Sequence, residues 1–122
     1  MKLLHLEDET PLRDVFRTVL DTLDENIELI QFISGDEADD YIEKYVSEIK
    51  LYVLDIRVPG SIDGMEVARR IRARGSKRPI IVNSGYRKPD SKQMRELELH
   101  WIPKPIHILE ASKKIIPLLL AD

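Results

Sequence analysis

The 122-residue chain contains no cysteine, which excludes disulfides, thiolate metal sites and cysteine nucleophiles and fits a reducing compartment. Its histidines, His5, His100 and His107, are scattered, an arrangement that argues against a histidine-based metal or catalytic site. No apolar run reaches membrane-spanning length. The start, Met1-Lys2-Leu3-Leu4, meets Glu7 and Asp8 at once and leaves no room for the apolar core of a signal peptide. A cytoplasmic location, away from the membrane, is therefore expected. Basic charge is not in excess either. The formal net charge is -3 and the pI about 5.6, the wrong balance for a nucleic-acid binder. The densest basic stretch, Arg69 to Arg78, reads as the solvated face of a helix and the loop after it. Internal repeats, low-complexity tracts and linkers are also missing. What remains, 43% hydrophobic and 34% charged residues, is the balance of one soluble globular domain that buries a single core.

Apolar runs alternate with amphipathic stretches along the chain. Leu3 to Leu6 is a short strand-like run. Thr10 is placed to cap a helix and Pro11 to occupy its first position. Leu12, Val15, Phe16, Val19, Leu20 and Leu23 then fall on one helical face. Residues 27–33 alternate as a strand does, and Ser34 with Glu37 forms a capping-box pair before Ala38, Ile42, Tyr45, Val46 and Ile49. Leu51-Tyr52-Val53-Leu54, ending at Asp55, has the pattern of a strand covered on both faces. Asp63 caps a third helix, with Val67, Ala68 and Ile71 on its apolar face. Residues 79–82 form another buried strand that ends at Ser84-Gly85. A short or mobile helix is expected within 89–99 and a last short strand over 100–103. A final helix carries Ile108, Leu109, Ser112, Ile115, Ile116 and Leu119, with Pro117 kinking or fraying its last turn. Five β-α units in succession predict an α/β fold, a parallel sheet with helices on both faces.

In such folds ligands bind at the carboxyl ends of the strands, where strand order reverses. This assignment gathers Glu7, Asp8, Asp55, Ser84 and Lys104 on one rim. Three carboxylates crowded together raise one another's pKa unless positive charge balances them. A divalent cation and one lysine supply that balance, three charges against two plus one. Oxygen ligands with no histidine or cysteine at hand favour magnesium over zinc.

The segments LLHLEDE, LYVLDIRVPGSIDG, PIIVNSGY and WIPKPI resemble, in order and close to the usual spacing, the four signature blocks of bacterial response-regulator receiver domains. The similarity covers essentially the whole chain, so residues 1–122 are read as one receiver domain without an output domain. The resemblance implies a flavodoxin-like, doubly wound five-stranded parallel sheet with strand order 2-1-3-4-5. It implies that Asp55 accepts a phosphoryl group, that Glu7, Asp8, Asp55 and the Arg57 backbone carbonyl hold Mg2+, and that Lys104 and the Ser84 hydroxyl attend the phosphoryl group. Ser84 and Trp101 take the places of the switch residues. The implied phosphodonor is a histidine kinase or phosphotransfer protein, and the implied recipient of the signal a downstream protein.

The sequence departs from the family pattern in places. Glu7 stands where aspartate is more usual, the loop from Asp55 to Gly64 is one residue longer, and the stretch from Ser84 to Lys104 is slightly short and lacks the usual Gly-Ala pair. Trp101 replaces the usual tyrosine or phenylalanine. Arg57 and Tyr86 flank the phosphoryl site that the resemblance implies, where they are expected to tune the lifetime of the acyl phosphate. Two other functions stay open. A pseudo-receiver would keep the fold as a binding module without phosphorylation. A Mg2+-dependent aspartyl phosphatase would need a second aspartate two places after its nucleophile, where this chain has Arg57. Plainer structural roles also exist: Asp8 and Glu9 as helix N-terminal acids, Lys104 as an inert partner of Asp55, Trp101 as core filler. The apolar tail Ile115, Ile116, Leu118, Leu119 and Leu120 exceeds the needs of one helix face, and reads mostly as core with a homodimer or partner patch as the alternative.

Overall fold

In the computed structural model the described residues are 1–23, 26–85, 88–104, 114, 115, 117 and 118. Strands β1 (Lys2–Leu6), β2 (Glu28–Phe32), β3 (Ile49–Asp55), β4 (Ile80–Ser84) and β5 (Leu99–Pro103) form one parallel sheet in the order β2-β1-β3-β4-β5. Helices α1 (Thr10–Leu23), α2 (Gly35–Tyr45), α3 (Gly64–Ala73) and α4 (Ser91–Glu96) lie between them. The doubly wound α/β sheet and its strand order are those the sequence implied. The order reverses at β1, which pairs with both β2 and β3, so a crevice opens at the carboxyl ends of β1 and β3.

Alternation along the strands builds two cores. Leu4, Leu6, Tyr52, Leu54, Ile80 and Val82 pack beneath Ala38 and Ile42 of α2 and Val67, Ala68 and Ile71 of α3. Leu3, Leu51, Val53 and Ile81 turn to the other face, with Phe16 and Leu20 of α1 and with Ile102 and Ile115. Successive side chains of β3 thus serve opposite layers, which is why its run is apolar without a break. Burying each such side chain contributes about 1.5–3 kcal/mol. Together they offset the cost of carrying the charged end of β3 into a buried position.

Local signals fix the helix starts. Ser34 Oγ accepts from the Glu37 N–H and Asp63 Oδ1 from the Glu66 N–H, at 3.2 and 2.8 Å, as their sequence positions predict. Thr10 differs from expectation. The Arg13 N–H bonds to the Glu9 carbonyl at 3.1 Å, so Glu9 holds the cap position and Thr10 is already helical. The Thr10 hydroxyl instead accepts from Arg13 Nη2. Helix α4 is short, as expected. Of the final helix only Lys114, Ile115, Pro117 and Leu118 are described. Ile115 is fully buried and Leu118 packs against the same core, which favours the core reading of the tail. Ile108, Leu109, Ser112, Ile116, Leu119 and Leu120 lie outside the described residues, as does the turn that Pro117 was expected to kink. No helix among the described residues is long and apolar enough to cross a membrane.

The basic stretch from Arg69 to Arg78 is more than a solvated face. Arg72 sits one helical turn beyond Ala68 and donates to the carbonyls of Leu97, Ser76, Arg78 and Glu98, tying the α3–β4 connection to the turn before β5. Arg70 and Arg74 converge on Asp39, each 2.7 Å from one of its carboxylate oxygens. Asp39 occupies the buried side of α2 beside Ala38 and Ile42. Burial pushes its pKa up, but the ion pairs with Arg74 and Arg70 outweigh that and hold it below the usual 3.8. A depressed carboxyl contributes stability above its unfolded pKa, and that stability is lost as pH falls through the folded value. Asp39→Asn is therefore expected to lower unfolding free energy by about 2 kcal/mol at pH 7, and the gap between mutant and wild type is expected to close below the ordinary aspartate range. Urea melts across pH check both, and an unchanged midpoint at pH 7 would contradict the role given to the pair.

Candidate functional site

Glu7 follows β1, Asp55 and Ser84 end β3 and β4, and Lys104 follows β5. Parallel strands carry these ends to one side of the sheet. The Lys104 N–H bonds to the Ser84 carbonyl at 3.0 Å, continuing the β4–β5 ladder to the rim. Gly64 completes the floor. Its N–H bonds to the Ile56 carbonyl at 2.9 Å, and a Cβ there would collide with the Asp55 carbonyl oxygen. Only glycine lets α3 start this close to the end of β3.

The centre of the site is an ammonium between two carboxylates. Lys104 Nζ lies 2.9 Å from Asp55 Oδ2 and 2.9 Å from Glu7 Oε1. Asp55 and Glu7 are buried, with 5% and 1% of their surface exposed. Their second oxygens are also engaged: Asp55 Oδ1 accepts from the Arg57 N–H at 3.3 Å and Glu7 Oε2 from the Glu9 N–H at 3.2 Å. Asp8 beside them is exposed and has no partner among the described residues. Burial pushes the Glu7 carboxyl up to about 7, helped by the negative charge of Asp55 and opposed by the hydrogen bond from Lys104. Lys104 loses some basicity to burial, yet its hydrogen bonds to Asp55 and Glu7 more than restore it, and its pKa is raised. One lysine does not neutralise this corner.

Oxygen atoms of Glu7, Asp8 and Asp55 all lie within 4.8 Å of one another, close enough to serve one cation. Among the described residues the donor set is hard oxygen throughout, which fits magnesium or calcium better than a metal that prefers thiolate or imidazole. The Asp8 carboxylate is exposed, whereas Glu7 already uses both oxygens within the protein.

A cavity of about 870 Å³ opens above these groups, lined among others by Asp8, Asp55, Arg57, Ser84, Lys88 and Lys104. Of the site residues expected from the sequence, Asp8, Asp55, Arg57, Ser84 and Lys104 line it, and Trp101 and Glu7 do not. Glu7 lies beneath, behind Lys104. Trp101 stands one shell out, where its indole Nε1–H donates to Ser84 Oγ at 3.1 Å. This ring is half-buried, so it is neither pure core filler nor a free surface residue. Tyr86, the other residue expected to flank the site, lies outside the described residues. Sequence reasoning missed Lys88, whose ammonium sits 5.9 Å from the centre of the Trp101 ring. Nothing in its neighbours Arg87 and Pro89 marks it out.

The family model of the response regulator receiver domain matches residues 3–115. No curated protein shows significant sequence similarity to the chain. Among solved structures, a CheY-like response regulator receiver domain protein from Methanospirillum hungatei JF-1 is similar at TM-score 0.83 and 22% identity, covering 97% of this chain and 92% of that one. The BeF3-activated N-terminal receiver domain of Klebsiella pneumoniae RstA is similar at TM-score 0.82 and 20% identity, over 99% and 100% of the two chains. The Vibrio cholerae chemotaxis protein CheY4 gives TM-score 0.80 and 20% identity, over 97% and 98%. At these identities the structures speak for the fold, and the family rests on the sequence match.

The bond between Trp101 and Ser84 has a direct spectroscopic consequence. Ser84→Ala removes the acceptor, so the single indole N–H resonance is expected to move upfield in a proton–nitrogen correlation spectrum. An unmoved indole peak would show that the bond does not form in solution.

Proposed function

The chain belongs to the response regulator receiver domains, the phosphorylation-dependent switches of two-component signalling, and on that premise we infer that Asp55 is its phosphoacceptor. The carrying observation is the ammonium of Lys104 held between Asp55 and Glu7, with Asp8 free beside them. A carboxylate oxygen of Asp55 attacks the phosphorus of the donor. A new P–O bond forms as the bond to the leaving group breaks, and the leaving group departs with the electron pair. The product is an acyl phosphate. Water attacking the same phosphorus returns the Asp55 carboxylate and inorganic phosphate.

Phosphoryl transfer asks the protein mainly for positioning and for positive charge around the oxygens. Lys104 provides one such charge from a fixed strand end. Mg2+, when bound by Asp8, Asp55 and the Arg57 carbonyl with Glu7 behind them, provides the rest. The Ser84 hydroxyl lines the cavity and can turn to the added oxygens, at the expense of its bond to Trp101. That exchange makes Ser84 and Trp101 the switch. Arg57 lines the same cavity, which supports a part for it in governing access of water to the acyl phosphate. The phosphodonor is a histidine kinase or phosphotransfer protein, the signal passes to a downstream protein, and the setting is cytoplasmic. The chain takes part in its own phosphorylation from a donor and in its own dephosphorylation, and does not turn over phosphate esters as an enzyme. An aspartyl phosphatase is disfavoured because the position two residues after Asp55 holds Arg57, which cannot act as the general acid.

With Mg2+ and acetyl phosphate, the protein is expected to gain one phosphate by intact mass. The adduct should disappear with a chelator and in Asp55→Ala. Turnover of phosphate esters without an adduct would contradict the reading in favour of a phosphatase, and complete inertness in favour of a pseudo-receiver.

A further inference from the structure

Trp101 touches the cavity's lining twice. Its edge donates to Ser84, and its face carries the ammonium of Lys88. Both partners line the cavity above Asp55. Lys88 is exposed and has no carboxylate partner among the described residues, although Asp90 lies only two positions on.

We propose that Lys88 is a second cation for the phosphoryl group, stored on the face of Trp101 in the resting protein and drawn into the cavity when Asp55 is modified. This rests on the reading of Asp55 as phosphoacceptor. The argument starts from charge. With a divalent cation bound, Glu7, Asp8 and Asp55 are balanced by the cation and Lys104. Phosphorylation takes the charge at Asp55 from one unit to about two and adds acceptor oxygens, so one further positive charge is called for. Among the described residues, the cations lining the cavity are Arg57, Lys88 and Lys104. Lys104 is committed to Glu7 and Asp55, and Arg57 has contacts of its own. Of these described cations, Lys88 is the one held by an aromatic face.

Magnitudes decide the direction of movement. An ammonium over an exposed aromatic ring gains about 0.5–1 kcal/mol, whereas a charge-assisted hydrogen bond is worth about 1.5–3 kcal/mol. Lys88 therefore leaves the ring once phosphoryl oxygens are available. Trp101 then loses the cation from its face at the same time as Ser84 is drawn from its edge. A residue outside the cavity is released by two events inside it.

Beryllofluoride with Mg2+ serves as the probe, because it adds one negative charge to an aspartate without turning over. Its affinity, followed by fluorine NMR, is expected to fall about fivefold to tenfold in Lys88→Gln and to recover in Lys88→Arg. The Trp101 emission change on binding should shrink in Lys88→Gln in parallel. Equal affinity in wild type and Lys88→Gln would overturn the proposal while leaving Asp55 as the acceptor. Absence of any beryllofluoride signal from the wild type would overturn the reading of Asp55 itself, and this inference with it.

Discussion

The site depends on how one lysine divides itself between two buried carboxylates. Lys104 Nζ sits 2.9 Å from both Asp55 and Glu7, and without it two negative charges would face each other at the end of an apolar sheet. Burial pushes the Glu7 carboxyl up in spite of the hydrogen bond from Lys104. The corner stays short of positive charge. That shortage of positive charge is what supports the proposed cation site and the proposed response to a phosphoryl group on Asp55.

Much of this corner was legible in the sequence because strand ends are legible. A run such as Leu51-Tyr52-Val53-Leu54 fixes where β3 stops, and the parallel topology carries every other strand end to the same rim. Glu7, Asp8, Asp55, Ser84 and Lys104 follow from that logic, as do the caps at Ser34 and Asp63. What escaped depends on side-chain reach between distant segments. Asp39 finds Arg70 and Arg74 more than thirty residues away, and Arg72 finds the carbonyls of the turn before β5. A weak signal existed for both. Asp39 falls on the same helical face as Ala38 and Ile42, and Arg72 on that of Ala68 and Ile71, where a charge needs a buried partner. The start of α1 escaped because backbone geometry gave the cap position to Glu9, although threonine is the better capping residue.

The departures from the family pattern concentrate where the switch would act. Glutamate at position 7 is long enough to reach Lys104 with one oxygen and the Glu9 N–H with the other, which leaves Asp8 as the exposed carboxylate of the group. Tryptophan at position 101 brings a donor that phenylalanine lacks, and that donor is spent on Ser84. The same ring presents a large face to Lys88. In this chain the aromatic residue is bonded to the cavity lining directly, so its resting position is set by the same groups that a phosphoryl group would claim.

The account is tested most directly by a crystal structure of the protein with Mg2+ and beryllofluoride. It predicts the fluoride group on Asp55, the metal held by Asp8, Asp55 and the Arg57 carbonyl with Glu7 behind them, and Lys104 shifted from Glu7 toward fluoride. A metal bound away from Asp8 and Asp55, or Lys104 still bridging Glu7 and an unmodified Asp55, would contradict it.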